Sequence, residues 1–430
     1  MTSEIAILNK TAIALAADSA MSMGGENKVF QSSNKLFMLT KNYPIGIMVY
    51  GNARLNGVPW ETIINVYRKE KGEIELKNSE EYLKKFLDFI SEKITWFTEE
   101  EQNELVGIAS YSFFIKLNKI LEEYMIEYLE DNPTKSDKEI LLATKEKLES
   151  DIKLIYDKFK ESEYCEGIDD NRFNELLNLY DKLLNVPLDE VFSQIKLTKS
   201  YRDKLKQIAI GFFCKKDLKN DFSSGIVIAG FGSNEIYPSL ISIEINGILD
   251  NQIIYFITNN SKISNEKTAS IIPFAQIEII ETFIEGVHPD YKQWIHDYIE
   301  GIYLEYPTQI VEKIPNIDSK QKSNLIKKFK SEGLKEYDIF LEEEKENIEN
   351  YYSPMLDVVE ILPKDEMAIM AETLINITMF KRKISKDLET VGGPIDIAVI
   401  SKGEGFIWFK RKHYFKPDLN PNYMKQYYKN

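Results

Sequence analysis

A long stretch with helical periodicity, residues 79–205, lies between two groups of short apolar segments and limits the folds open to this chain. Short apolar runs bounded by turn residues predict β-strands, whereas three- and four-residue apolar spacing predicts helices. A turn is predicted at Asn246 and Gly247. The predicted strands cover residues 3–8, 11–17, 35–39, 45–50, 225–231, 239–245, 252–256, 395–401 and 406–410, and residues 268–274 are predicted to be a strand-to-helix transition.

The remaining periodic segments predict helices, beginning near Leu55 and again within 276–285, 288–352 and 365–379. Breaks near residues 132–133, 167–169 and 186–187 divide the long helical stretch. Strands and helices therefore alternate in blocks. This order predicts an α+β protein with two stacked antiparallel sheets and helices on their outer faces, a four-layer αββα sandwich.

A chain of 430 residues exceeds the size at which one hydrophobic core usually stops growing, so added lobes are expected. The helical stretches are dense in charges of both signs, as solvated helix faces are. We therefore predict a discontinuous core interrupted by two helical insertions. The core covers 1–78, 215–287 and 360–415, the insertions cover 79–214 and 288–359, and an irregular tail covers 416–430.

The charge and composition exclude several classes of function. A net charge of −15 argues against nucleic acid or an anionic membrane as the main partner, because both require a cationic surface. The two cysteines and three histidines show no metal-ligand spacing, so no metal or other cofactor is expected. No apolar run reaches the ~20 residues of a membrane span, and no secretion signal is evident. A cytoplasmic protein is expected.

Thr2 follows the initiator Met1 and would become an amino-terminal residue if Met1 were removed. Methionine aminopeptidases accept small second residues such as threonine. An amino-terminal threonine carries a hydroxyl nucleophile and a free amine, whose pKa of about 7.7 to 8.0 suits it to act as the base. The sequence therefore admits a self-activated nucleophile at Thr2.

The order of motifs along the chain resembles a proteasome β-type subunit of the N-terminal nucleophile hydrolase superfamily. The likeness begins with Thr2, Asp18-Ser19, Lys35-Leu36-Phe37 and the strand that ends at Gly51. Three later stretches extend it: residues 227–231, 269–275 and 393–400. Since only Met1 precedes Thr2, the chain is most similar to the simpler bacterial relatives. The resemblance covers about half of the chain, and the helical insertions lie outside the resemblance.

The resemblance implies a hydrolase that cleaves amide bonds through an acyl-ester on Thr2. Asp18 and Lys35 match the family's charge pair, in which the carboxylate holds the lysine and the ammonium lowers the pKa of the hydroxyl and amine. The backbone N–H of Gly51 matches the donor to the oxyanion. Ser270, Asp387 and Thr390 match the residues that support the amine, although the match around Asp387 requires a one-residue shift.

The resemblance also implies a peptide or protein substrate and a homo-oligomer, in the family a ring. A partner protein on the helical insertions is a further expectation. Two alternatives stay open from the sequence: a catalytically silent structural subunit on the same fold, and an amidase that acts on a small molecule.

Overall fold

A computed structural model describes residues 3–22, 29–218, 220–385 and 391–428 of the chain. The chain divides into two compact units. The first unit comprises Met1–Ser33, Ile263–Val399 and Ile407–Lys416, and the second comprises Asn34–Lys262, Ile400–Phe406 and Pro417–Asn430. Each unit contains one five-stranded sheet.

The described residues form strands and helices that alternate in blocks. The strands are β1 Ser3–Asn9, β2 Ala12–Ala17, β3 Met21–Ser22, β4 Val29–Phe30, β5 Leu36–Met38, β6 Ile45–Gly51, β7 Arg54–Leu55, β8 Val58–Pro59, β9 Ser224–Gly230, β10 Ser239–Leu249, β11 Gln252–Lys262, β12 Ala269–Ala275, β13 Asp396–Ser401 and β14 Gly405–Lys410. The helices are α1 Trp60–Lys71, α2 Ser79–Glu92, α3 Glu99–Asp131, α4 Asp137–Glu161, α5 Asp170–Val191, α6 Lys199–Cys214, α7 Ile277–Glu285, α8 Pro289–Glu312, α9 Ser319–Ile361, α10 Lys364–Ile384 and α11 Pro421–Tyr428.

The sheet of the first unit has the order β12-β1-β2-β13-β14. Strand β1 is antiparallel to both neighbours, with Ser3 opposite Ala275 and Glu4 opposite Ala17. Every residue of β1 and β2 is buried, which explains why residues 5–8 and 12–17 are continuously apolar rather than alternating. The strands predicted over residues 3–8 and 11–17 are confirmed, and they pair as an antiparallel hairpin.

Helix α10 packs on the face of β1 and β2 that carries Ile5, Ile7 and the alanines of β2. Small side chains at Ala12, Ala14 and Ala16 let the helix approach closely. The helix contributes buried residues at three- and four-residue spacing, namely Met367, Ala368, Ala371, Leu374 and Ile375. This layer holds β1, the strand that follows Thr2, in a fixed position within its unit.

The sheet of the second unit has the order β11-β10-β9-β6-β5, so β5 is an edge strand. Its apolar face packs against α1 and α2, which bury Trp60, Tyr67, Phe86 and Phe89. Helices α3 to α6 form a second hydrophobic cluster in the same unit. The α+β class is confirmed, with antiparallel sheets and helices in each unit.

The local structure differs from the sequence predictions at three places. The turn expected at Asn246 and Gly247 is a bulge inside β10, and the chain reverses instead at Asp250 and Asn251. Both of these residues have positive φ, 47° and 60°, as a two-residue hairpin turn requires. The break expected near residues 186–187 is absent because α5 continues through Pro187, whose ring is buried in the helical cluster. Residues 416–430, expected to be irregular, include α11.

Candidate functional site

Asp18 lies at the open end of the β1–β2 hairpin and is fully buried. Its Oδ1 accepts a hydrogen bond from Ser3 N at 3.1 Å, and its Oδ2 accepts from Ala20 N at 3.2 Å and Gly392 N at 2.9 Å. The Asp18 N–H in turn donates to Ser3 O at 3.1 Å. A buried carboxylate is stable only when it is hydrogen-bonded, and these donors supply that requirement. The carboxylate is therefore fixed one residue from Thr2.

The segment that contains Gly392 and Gly393 completes the surroundings of Asp18. Ser19 N donates to Gly392 O at 3.1 Å, and the Ser19 hydroxyl donates to Pro394 O. Gly393 has a φ of +81°, and a Cβ there would come within 2.9 Å of Gln31 O. Only glycine meets both conditions without strain. The sequence placed Gly393 at the start of a matching stretch, 393–400, but gave Gly392 no role, so this contribution to the site was missed.

A second feature missed from the sequence lies where β12 passes Ser3. Ala275, opposite Ser3, has a φ of +56°, a conformation that costs a non-glycine residue of order 1–3 kcal/mol. The next residue, Gln276, is buried, and its Oε1 accepts from Arg382 Nε at 2.5 Å. Arg382 also forms an ion pair with Glu278. This network holds the strained end of β12 beside the start of β1.

Ser270 lies at the other end of the β1–β12 pairing, opposite Leu8. Five residues along β1 separate Leu8 from Ser3, roughly 17 Å at about 3.4 Å per residue. Next to Ser270, the N–H of Ile271 donates to the hydroxyl oxygen of Tyr352, and burial raises the pKa of this tyrosine. The register therefore does not bring Ser270 to the Ser3 end of the strand.

Three of the predicted site residues, Thr2, Asp387 and Thr390, lie outside the described residues. Their roles stay predictions from the sequence. The described residue nearest to Thr2 is Ser3, whose Oγ is buried and has no hydrogen-bond partner within the described part of the chain.

Lys35 and Gly51 belong to the second unit. Lys35 directly precedes the edge strand β5, is 5% exposed, and its carbonyl accepts from Val49 N at 2.9 Å. Gly51 ends β6 two residues beyond Val49, so Lys35 and Gly51 lie near the same end of adjacent strands. Gly51 has a φ of +75°, and a Cβ there would lie 2.8 Å from Ser223 O, so glycine is required at this strand end.

A pocket of about 260 Å³ in the second unit begins one residue beyond Gly51. Its lining includes Asn52, Arg54, Glu101 and Glu104, together with the apolar side chain of Leu105. Charges of both signs line it, so the pocket does not select one sign of ligand charge. The pocket therefore lies close in sequence to the predicted oxyanion donor.

Among residues 3–22, 29–218, 220–385 and 391–428, no group of three or more histidine, cysteine, aspartate or glutamate side chains is arranged to hold a metal ion. Within the same described ranges, no helix is both long enough and apolar enough to cross a membrane.

No family model matches the sequence, and no curated protein matches it. Solved structures similar to the chain include the following three. Anbu (ancestral beta-subunit) from Yersinia bercovieri has 8% identity and a TM-score of 0.27, over 99% of this chain and 94% of that one. Anbu from Hyphomicrobium sp. strain MC1 has 9% identity and a TM-score of 0.28, over 99% and 97%. A helical assembly of the Anbu complex from Pseudomonas aeruginosa has 7% identity and a TM-score of 0.28, over 99% and 93%.

These values correct the family assignment that the sequence motifs suggested. TM-scores of 0.27 and 0.28 at 7–9% identity are too low to support a shared fold, and no family model matches the chain. The prediction of membership in the proteasome β-type subunit family was therefore wrong. What the chain does has to be argued from its own residues.

Proposed function

We propose that this protein is an amide hydrolase whose nucleophile is the hydroxyl of Thr2, exposed when Met1 is removed. The observation that carries the proposal is the Asp18 carboxylate, which is fully buried and accepts three backbone N–H bonds, one of them from Ser3. A buried negative charge at this position favours the positive form of a nearby lysine. In the proposed site it orients the ammonium of Lys35, which in turn keeps the Thr2 amine neutral enough to act as the base.

The proposed reaction proceeds in two steps. The Thr2 Oγ attacks the carbonyl carbon of the substrate, while the Thr2 amine accepts the hydroxyl proton and passes it to the departing amine. Water, activated by the same amine, then attacks the acyl-ester. This step releases the carboxylic acid and regenerates the hydroxyl of Thr2. The Gly51 N–H is proposed as a donor to the oxyanion of each tetrahedral intermediate, a contribution of about 3 kcal/mol.

Lys35 is proposed to lower the pKa of the Thr2 amine, since a nearby positive charge disfavours a second one. The burial of Lys35 supports this role, because a lysine is seldom buried unless its charge is used or paired. Asp387 and Thr390 are also proposed to support the Thr2 amine, and for these two residues the proposal rests only on their positions in the sequence. A four-layer αββα arrangement and the discontinuous core with two insertions are proposed on the order of the elements.

The test begins with the mature amino terminus. Intact-mass measurement of the purified protein is expected to show the loss of Met1. An epoxyketone, which requires a hydroxyl and a free amine on the same residue, should then label Thr2. Thr2→Ala should abolish labelling, whereas Ser3→Ala, which removes the adjacent buried hydroxyl, should leave it unchanged. A retained Met1, or labelling that survives in Thr2→Ala, would refute the proposal.

Peptides are the proposed substrate class. A panel of peptides and small amides, assayed with the same variants, distinguishes a peptidase from an amidase of small molecules. Protein that has lost Met1 but neither binds the epoxyketone nor cleaves any amide would be a catalytically silent subunit, and the proposed activity would then be wrong.

A further inference from the structure

Helices α8 and α9 of the first unit pair as an antiparallel hairpin whose register is fixed by three contacts. His296 Nε2 lies 2.8 Å from Glu344 Oε2, and the glycine at 333 makes room for the ring of Tyr303. Near the turn, Lys322 Nζ donates to Glu312 O at 2.9 Å. Residues near 296 are therefore level with those near 344, and residues near 312 are level with those near 322.

One end of this hairpin combines acidic residues with a row of exposed aromatic rings. Tyr291, Trp294 and Tyr298 are 56%, 55% and 60% exposed, and successive ring centroids lie 5.6 Å apart in stacked geometry. By the register, this row is level with residues 342–349 of α9. Residues 336–349 contain seven acidic side chains and one lysine, and we call 290–300 with 336–349 the acidic end.

The other end of the hairpin is basic. Residues 313–330, which we call the basic tip, contain six lysines and one aspartate. Lys313, Lys320, Lys327 and Lys328 are exposed. Within the described part of the chain, Lys328 alone among the tip lysines has an ion pair, with Glu332 at 3.9 Å. The tip thus carries cationic charge that this chain does not neutralise locally.

Most of the acidic end lies far from the basic tip of the same hairpin. Sixteen helical residues separate His296 from Glu312, roughly 24 Å at 1.5 Å per residue. This distance is about three times the Debye length at physiological ionic strength. Lys330 and Glu336, about 9 Å apart along α9, are the nearest charges of the two ends in sequence. The acidic side chains farther along α9 can be paired closely with lysines of a basic tip only when another molecule supplies that tip.

We infer that a second copy of this chain docks on the hairpin in antiparallel orientation, with each basic tip over the acidic end of its partner. A two-fold arrangement of this kind satisfies both charged ends of both copies with the same surface. The lysines would also lie against the exposed rings of Tyr291, Trp294 and Tyr298, where cation–π attraction adds to the ion pairs. Helix α9 has 43 residues and is about 65 Å long. The two copies can therefore overlap along enough of their hairpins to bury about 1,600 Å², the area of a typical stable interface.

The charge pattern favours a second copy over an unrelated cationic partner. A cationic partner would satisfy the acidic end but would leave the lysines of the tip exposed and unpaired. Each copy carries a net charge of −15, so two copies repel at long range. Attraction between them requires a local cationic surface, which the tip supplies.

The experiment uses three charge-reversal variants of the full chain and measures mass by sedimentation velocity. The tip variant carries Lys320→Glu, Lys327→Glu and Lys328→Glu. The acidic-end variant carries Glu342→Lys, Glu343→Lys and Glu346→Lys. The control carries Lys119→Glu, Lys138→Glu and Lys182→Glu, exposed lysines elsewhere in the chain whose reversal changes the net charge as much as the tip variant does.

The wild type and the control should dimerise, with an affinity that falls as salt is added. The tip variant and the acidic-end variant should each lose about tenfold or more in affinity, as expected when like charges face each other. An equimolar mixture of these two variants should form a heterodimer, because each then offers the complementary charge. The chain with all six substitutions should again self-associate.

Thermal melts followed by circular dichroism establish that the variants are folded. Heterodimer formation in the mixture also shows that both variants fold, because unfolded chains would not dimerise specifically. A wild type that stays monomeric up to about 100 μM, a concentration well above the Kd of most specific dimers, would overturn the inference. Dimers that the tip variant leaves intact, or variants whose mixture does not associate, would also overturn it.

Discussion

The two ends of the β1–β2 hairpin are each closed by one buried polar side chain, yet one is neutral and the other is an acid. At the turn, Asn9 Oδ1 accepts from Thr11 N at 2.9 Å and Ala12 N at 3.1 Å, while its Nδ2 donates to Val359 O and Leu362 O. At the open end, Asp18 accepts from three backbone N–H groups. Both side chains are 0% exposed.

The two ends differ in the polar groups that they require. The turn requires a donor and an acceptor on one side chain, and an amide provides both without the cost of burying a charge. The open end requires only acceptors, and the chain uses a full negative charge there. A charge buried one residue from Thr2 is what the proposed chemistry requires and what a structural turn does not.

The largest effect on stability is expected for Asn9→Asp. The new carboxylate oxygen would replace the Nδ2 donor and face the carbonyls of Val359 and Leu362 in a buried position. We expect a loss of about 3–5 kcal/mol in the free energy of unfolding, since a buried charge is left without a partner. Urea denaturation measures it. Asn9→Ala, which removes the bonds without adding a charge, should cost less, and the reverse order would refute this account of the turn.

The next largest effect is expected for Asp18→Asn. The amide has one acceptor oxygen, so its NH₂ group must face at least one of the backbone donors from Ser3, Ala20 and Gly392. We expect a loss of about 2–3 kcal/mol in the free energy of unfolding. In folded protein, the rate of amide cleavage or epoxyketone labelling should fall about a hundredfold or more, because the charge that orients the catalytic groups is gone.

Asp18→Asn distinguishes the two interpretations of the carboxylate. If the folded variant labels at the wild-type rate, the carboxylate serves only to hold the hairpin together. Asn52→Ala, at a polar residue that follows Gly51 and carries no charge, is a suitable control for nonspecific loss of stability.

A smaller loss is expected for Gly393→Ala, which disturbs the segment that supplies the Gly392 donor to Asp18. The positive φ of 81° and the approach of a Cβ to Gln31 O at 2.9 Å both oppose a side chain. We expect a loss of about 1–3 kcal/mol, measured by urea denaturation. Gly403→Ala, where a Cβ would meet no atom within 4 Å, is the matched control. Equal stability of the two variants would contradict the proposed constraint.

Much of the fold could be predicted from local patterns. The apolar runs at β1 and β2 and the helical spacing of Trp60, Ile63, Ile64 and Tyr67 correspond to buried faces of the structure. The turn after β10 could not be placed, because Asn246 and Gly247 satisfy the turn pattern as well as Asp250 and Asn251 do. Tertiary context decides between them: the Asn246 side chain donates to Phe213 O, a contact distant in sequence.

The site was less predictable for a related reason. Asp18 stands out as a polar residue that ends an apolar strand, but its partner Gly392 is 374 residues away and reads locally as a chain break. Gln276 and Arg382 are brought together across 106 residues by the pairing of β12 with β1 and the packing of α10. Ser270 was chosen from motif order alone, and strand register, which motif order does not specify, separates it from Ser3.

The smallest effect is expected for Ser270→Ala, which tests that register. Ser270 lies opposite Leu8, roughly 17 Å along β1 from Ser3 at about 3.4 Å per residue, so we expect its hydroxyl to make no contribution to labelling. The variant should label with the epoxyketone at the wild-type rate and lose less than about 1 kcal/mol in the free energy of unfolding. Gln276→Ala, beside the Ser3 end of the same strand pairing, should instead slow labelling, because it removes the acceptor of Arg382. If Ser270→Ala abolishes labelling while Gln276→Ala does not, the site lies at the Ser270 end of the β1–β12 pairing and the assignment to the Ser3 end is wrong.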